Sequence, residues 1–124
     1  FGRAWSAWEN ALASVYSNGV SGESPGDYAR AFARLENHYF SNGGFLHMDG
    51  QILANMGRIA HIPGVIVQGR YDMICPPQSA YDIHKQWPNS DLIMVRNAGH
   101  ALSEPGISAE LVKTMDQLAE ELMT

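Results

Sequence analysis

The second half of the chain predicts an α/β fold with a parallel sheet, and three observations carry that prediction. Gly64-Val65-Ile66-Val67-Gln68-Gly69 is a short apolar run, rich in β-branched residues and closed by glycine, which suits a buried strand. Asp91-Leu92-Ile93-Met94-Val95 is a second run of the same kind. Between them, Pro76-Pro77 opens a helical stretch that continues to Trp87 and is closed by Pro88-Asn89. Strand, helix and strand in that order form the crossover unit of a parallel sheet, right-handed by the steric rule for such units.

The other elements follow from periodicity. Trp5, Trp8, Leu12, Val15 and Tyr16 recur at helical spacing and predict a first helix, broken by Asn18-Gly19. A loop rich in Ser and Gly leads to Pro25-Gly26. A second helix carries Tyr28, Phe32, Leu35 and Tyr39 on one face and ends at Asn42-Gly43-Gly44. A third, short helix is expected over 51–58. In the tail, Ile107, Leu111, Met115, Leu118 and Leu122 align as the apolar stripe of an amphipathic helix. Two parallel strands with a helix after each cannot cover both faces of a sheet that is normally buried on both sides. More sheet is therefore expected from outside this sequence, with the aromatic helices of the first half forming a lid-like layer.

Composition narrows the functional classes. The 124 residues suit one small domain, and 45% hydrophobic with 17% charged residues describes an ordinary globular chain. No apolar run approaches the roughly 18 residues of a membrane helix, so no membrane association is expected. A net charge of -5 with eight scattered Lys and Arg argues against nucleic acid, which needs clustered cations. The single Cys75 excludes an internal disulfide and leads to the expectation of a reducing, cytoplasmic setting. Phe1 in place of Met leads to the expectation that the gene product starts upstream.

Chemistry is expected where the strands end. The first strand runs into Gly69-Arg70-Tyr71-Asp72, and the second into Asn97-Ala98-Gly99-His100. In parallel α/β sheets the loops after the strands share one edge, so Asp72 and His100 can meet there. Their order, acid before His, is that of a Ser-Asp-His triad, and the preceding glycines suit tight turns. The plainer alternative is that Asp72 caps the next helix and His100 is a turn residue. No Gly-x-Ser-x-Gly elbow occurs; Gly19-Val20-Ser21-Gly22-Glu23 has the wrong glycine spacing and no strand before it.

Two further carboxylates stand out. On a helical wheel Glu9 and Glu36 border the aromatic stripes of their helices, where desolvation is costly without a cationic or hydrogen-bonding partner. A ligand ammonium is one such partner; Arg30 or Arg34 is the plainer one. His38, His47, Asp49 and His61 match no metal-ligand spacing, so no metal and no cofactor is expected. His84 reads as a surface or packing residue. Cys75 lies three residues past Asp72 and reads equally as a site neighbour or a small buried hydrophobe. Tyr71 and Met73 read as pocket or core.

Ala4-Trp5-Ser6-Ala7-Trp8-Glu9, Leu35-Glu36-Asn37-His38-Tyr39-Phe40, Ile62 through Asp72, Trp87-Pro88, Ala98-Gly99-His100 and Glu104-Pro105-Gly106 together resemble the proline iminopeptidases of the α/β-hydrolase superfamily. The resemblance runs from residue 4 to residue 106 and is to the C-terminal part of those enzymes. It implies a helical cap portion over 1–58 and a C-terminal portion of the α/β-hydrolase core over 59–124. It also implies a Ser-His-Asp exopeptidase acting on peptides with a free N-terminal proline. Asp72 and His100 match the catalytic pair, Glu9 and Glu36 the carboxylates that bind the substrate amine, and Cys75 a cysteine beside the proline pocket; Tyr71 is expected on the substrate side. The serine and most of the sheet belong to the N-terminal portion of the core, so the 124 residues alone are expected to be inactive. Two other functions stay open: a non-catalytic binding module of the same fold, and a serine hydrolase acting on other esters or amides.

Overall fold

The computed structural model describes residues 1–16 and 25–123. The loop expected before Pro25 and the Gly19 to Glu23 stretch fall largely or wholly outside them. Helices α1 (Gly2–Ala13) and α2 (Gly26–Ser41) pack against each other; α3 (Gln51–Ala54) is a single turn. Then come β1 (Gly64–Gly69), α4 (Pro77–Gln86), β2 (Ser90–Val95) and α5 (Pro105–Leu122). The two strands pair in parallel, with Gly64 opposite Ser90 and Gly69 opposite Val95, and both α4 and α5 pack on them. The expected order of strands and helices is therefore present, and it is that of a partial α/β domain.

Prolines and aromatics explain where these elements start. Pro77 and Pro105 occupy first-turn positions, where a missing N–H costs nothing. Trp87 ends α4 and folds back, its indole N–H donating to the Ile62 carbonyl at 2.8 Å. A Cβ on Gly64 would lie 2.4 Å from that indole ring, so the start of β1 has room only for glycine. Half-buried His84 contacts Ser90 Oγ at 2.8 Å, a packing role at the foot of β2. At the end of α2, Gly43 and Gly44 take φ +59° and +63°, the left-handed values that stop a helix.

Three details differ from the periodicity. The first helix stops at Ala13, leaving Val15 and Tyr16 exposed and outside it; Ser14 is already extended, with φ −133° and ψ 135°. The expected helix over 51–58 breaks into α3 and a separate 3-10 turn, Met56–Arg58, with Met56 buried beneath it. In α5 the buried face runs through Ile107 and Thr114, while Met115 is exposed. Thr114 lies seven residues, about two turns, after buried Ile107 and so shares its face, whereas Met115 is turned off it.

The core is thin. Among the described residues its buried apolar side chains are Ala29, Met56, Ala80, Ala98 and Ile107, and most of both strands is only half-buried. Tyr28, Leu35, Tyr39, Phe40 and Phe45 are exposed. Two strands with helices after them leave the sheet only partly covered, as the sequence argument anticipated.

Candidate active site

Both strands end at the same edge, and the loops that follow are stitched together by backbone hydrogen bonds. Arg70 N donates to Val95 O at 3.0 Å and Tyr71 N to Ala98 O at 2.9 Å. The approach is close enough that a Cβ on Gly69 would sit 1.9 Å from Gly99 O. A Cβ on Gly99 would sit 2.9 Å from Ala13 O. Neither glycine has a positive φ, so the expected reason for them, tight turns, is corrected: they are needed for space between backbones.

Asp72 and His100 meet at this edge. Asp72 is 7% exposed, and its Oδ2 lies 3.0 Å from His100 Nδ1. Gln68 Nε2, on β1, also donates to Oδ2 at 3.3 Å and to the Cys75 carbonyl at 3.1 Å. Oδ1 accepts the backbone N–H groups of Ile74 at 2.9 Å and Cys75 at 2.7 Å. Asp72 does not cap the next helix, whose N-cap is Pro76 with no side-chain bond; one oxygen organises its own turn instead, and the other meets the imidazole. With Nδ1 held by the carboxylate, Nε2 is the nitrogen left to accept a proton.

The helical carboxylates lie beside this pair. Glu9 and Glu36 share a side-chain hydrogen bond, and both are half-buried. Burial first, then the hydrogen bond and the charge of Glu36, push Glu9 from 4.5 up to about 7; nearby His100 pulls it partly back. A bond between two carboxyl groups needs a proton in it, so the pair holds one near neutrality. Trp5 Nε1 donates to Glu36 Oε2 at 2.6 Å. The plainer cationic partners are elsewhere: Arg30 pairs with Asp27 at 3.0 Å, and among the described residues neither Arg30 nor Arg34 forms an ion pair with Glu9 or Glu36.

Cys75 is exposed, next to Asp72. Partial burial of its thiol, then the charges of Asp72 and Glu9, push its pKa up, so it is a poor nucleophile at neutral pH. Tyr71 is exposed at the strand-end loop. The structure thus brings together Glu9, Glu36, Asp72, His100 and Cys75, with Tyr71 at the margin. No three His, Cys, Asp or Glu side chains converge as a metal cluster among the described residues. No described helix is long and apolar enough to cross a membrane.

One residue near the site had no role in the sequence reading. Glu104, 3% exposed, accepts from Gly99 N at 2.6 Å and Val15 N at 2.5 Å, and from Ser14 Oγ. An acid before Pro at a helix start reads as a local cap, and partners 90 positions away leave no local signal.

A hydrogen-bonded carboxylate and imidazole on adjacent strand-end loops can work as an acid–base pair, and sequence comparison supplies the family. Residues 50–118, more than half the chain, match the TAP-like protein family of the α/β-hydrolases, and the chain belongs to that family. The individual relatives sharpen this. The chain is 47% identical to a proline iminopeptidase of Xanthomonas citri, over 94% of this chain and 38% of the relative. It is 48% identical to one of Arabidopsis thaliana, over 94% of this chain and 31% of the relative. It is 44% identical to one of Neisseria gonorrhoeae, over 98% of this chain and 38% of the relative. The chain therefore spans about a third of the length of the curated relatives it matches.

Proposed function

We propose that this chain contributes the acid, the base and the amine-binding carboxylates of a serine exopeptidase that releases N-terminal proline from peptides. One observation carries the reading: hydrogen-bonded Glu9 and Glu36 lie beside His100, whose Nδ1 is 3.0 Å from Asp72 Oδ2. A site for a cation beside a base suits a substrate with an ammonium next to its scissile carbonyl. The relatives named proline iminopeptidase supply the residue class.

The serine is taken to lie in the part of the relatives that this sequence does not span. In the proposed reaction its hydroxyl oxygen attacks the prolyl carbonyl while His100 Nε2 takes the proton. The carbon–nitrogen bond breaks, and the imidazolium returns that proton to the leaving amine. Asp72 keeps the ring in the tautomer with Nδ1 protonated and stabilises the imidazolium. Water then attacks the prolyl-enzyme ester by the same proton route, releasing proline. Glu9 and Glu36 take up the free amino group as its positive charge replaces the proton between them, which is released to solvent. An internal proline has no such charge to offer, which confines cleavage to the N-terminus. Cys75 and Tyr71 are assigned to the rim of the proline pocket, and the rest of the hydrolase core is the partner for the exposed apolar faces.

The test is release of a chromophore from a prolyl amide by the full-length protein, by its His100→Ala and Asp72→Ala variants, and by the 124-residue chain alone. Activity in the first and its loss in the other three support the reading. Retained activity in both variants would sink it.

A further inference from the structure

The end of α1 and the loop carrying His100 are tied together more tightly than a simple chain crossing requires. Ala13 O accepts from both His100 N and Ala101 N, each at 2.7 Å. Glu104 then fastens both sides of the crossing. Its Oε2 takes Gly99 N, on the histidine loop, while Oε1 takes Ser14 Oγ and Val15 N, just past the helix. The Tyr16 backbone adds a further bond to the same carboxylate. These donors are also what ends α1 at Ala13: groups that would continue the helix turn to Glu104 instead.

Both oxygens of Glu104 are occupied by N–H and O–H donors, so it has no chemistry of its own. What it holds is a distance. Glu9 lies four residues, about one turn, before Ala13 on the same helix, so the position of the helix end sets where Glu9 stands relative to His100. An exopeptidase of the proposed kind needs that separation to match one residue, from the ammonium to the scissile carbonyl. A misplacement of about 1 Å can lower turnover by about 100-fold.

Building on that functional reading, we propose that Glu104 is a positioning residue that sets the separation between the amine-binding carboxylates and the base. It acts by clamping the end of α1 to the histidine loop. Burial alone would push the Glu104 carboxyl up, yet the bonds from Ser14, Gly99, Val15 and Tyr16 hold it below the ordinary carboxylate range, so the clamp is ionised at neutral pH. Glutamine at this position would turn an amide N–H toward one of those donors and open one side of the clamp.

The experiment compares two substrates in the full-length protein, with active sites counted by a serine-reactive phosphonate. A prolyl amide uses the ammonium site and the base; p-nitrophenyl acetate, with no ammonium, uses the base alone. Glu104→Gln is expected to lower kcat/KM per active site for the prolyl amide by about 10- to 100-fold and for the ester by much less. Ser14→Ala, a smaller lesion that keeps the carboxylate, is expected to shift the ratio the same way by about threefold. Equal losses on both substrates, or unchanged values per active site, would assign Glu104 to plain stabilisation and overturn the proposal. If Glu104→Gln does not fold, the ratio for Ser14→Ala decides alone. If the wild type releases no proline, the functional reading fails, and amide exchange judges the clamp separately. Faster exchange at Val15, Gly99 and His100 together in Glu104→Gln supports it, and unchanged exchange overturns it.

Discussion

The strand-end edge and the helical pair above it each hold carboxylates out of full solvent, and they treat them in opposite ways. At the strand ends, Glu104 is almost wholly buried, yet N–H and O–H donors from two chain segments keep it ionised. On the helices Glu9 is less buried, yet it faces another carboxylate and is raised to about 7. Depth of burial alone would have ranked them the other way. Burial raises both carboxyls; at Glu104 the donor bonds outweigh it, whereas at Glu9 the facing Glu36 adds to it. The first region supplies geometry and the second supplies a charge that a ligand can claim.

Breaking the strand-end region should have the largest effect. In the full-length protein, His100→Ala is expected to lower kcat on a prolyl amide by about 10⁶-fold and Asp72→Asn by about 10⁴-fold, measured by steady-state kinetics. Next comes the helical pair. Glu9→Gln and Glu36→Gln are each expected to weaken amine binding by about 1.5–3 kcal/mol, read as a raised KM or inhibitor constant for proline amides. A change in kcat on simple esters would contradict that division of labour.

The stability effects are smaller and opposite in their dependence on pH. Glu104→Gln should destabilise by about 1–3 kcal/mol at pH 7, by denaturant titration of the full-length protein. Because the folded pKa of Glu104 lies below its unfolded value, its contribution is present above the unfolded pKa and fades as pH falls through the folded one. The difference between wild type and variant should shrink under acid. Glu9 does the reverse. With its folded pKa at about 7 against 4.5, the folded state binds more protons between those values, so wild-type stability falls as pH rises across that window. Glu9→Gln should flatten this slope and be the more stable protein at pH 8.

Much of the fold was legible because it rests on local signals. The β-branched runs, the proline-bounded helix and the acid-then-histidine order each depend on a few neighbouring residues, and parallel pairing brings Asp72 and His100 together. The candidate pair Glu9 and Glu36 was legible only as two carboxylates beside aromatic stripes; that they face each other depends on how α1 and α2 cross. The early end of α1 was hidden, because what stops it is Glu104 from the far end of the chain. The reason for Gly69 and Gly99 was hidden too, since a close approach between backbones has no periodicity. Thr114 rather than Met115 faces inward in α5 because helical phase from Ile107, not hydropathy, selects the position.

The most direct measurement of the central claim compares a prolyl amide carrying a free amine with its N-acetylated counterpart. It is made in the full-length protein and in the Glu9→Gln, Glu36→Gln double variant. The account predicts strong preference for the free amine in the wild type and loss of most of that preference in the double variant, with ester hydrolysis retained. Equal cleavage of both amides by the wild type, or a preference that survives the double substitution, would contradict it.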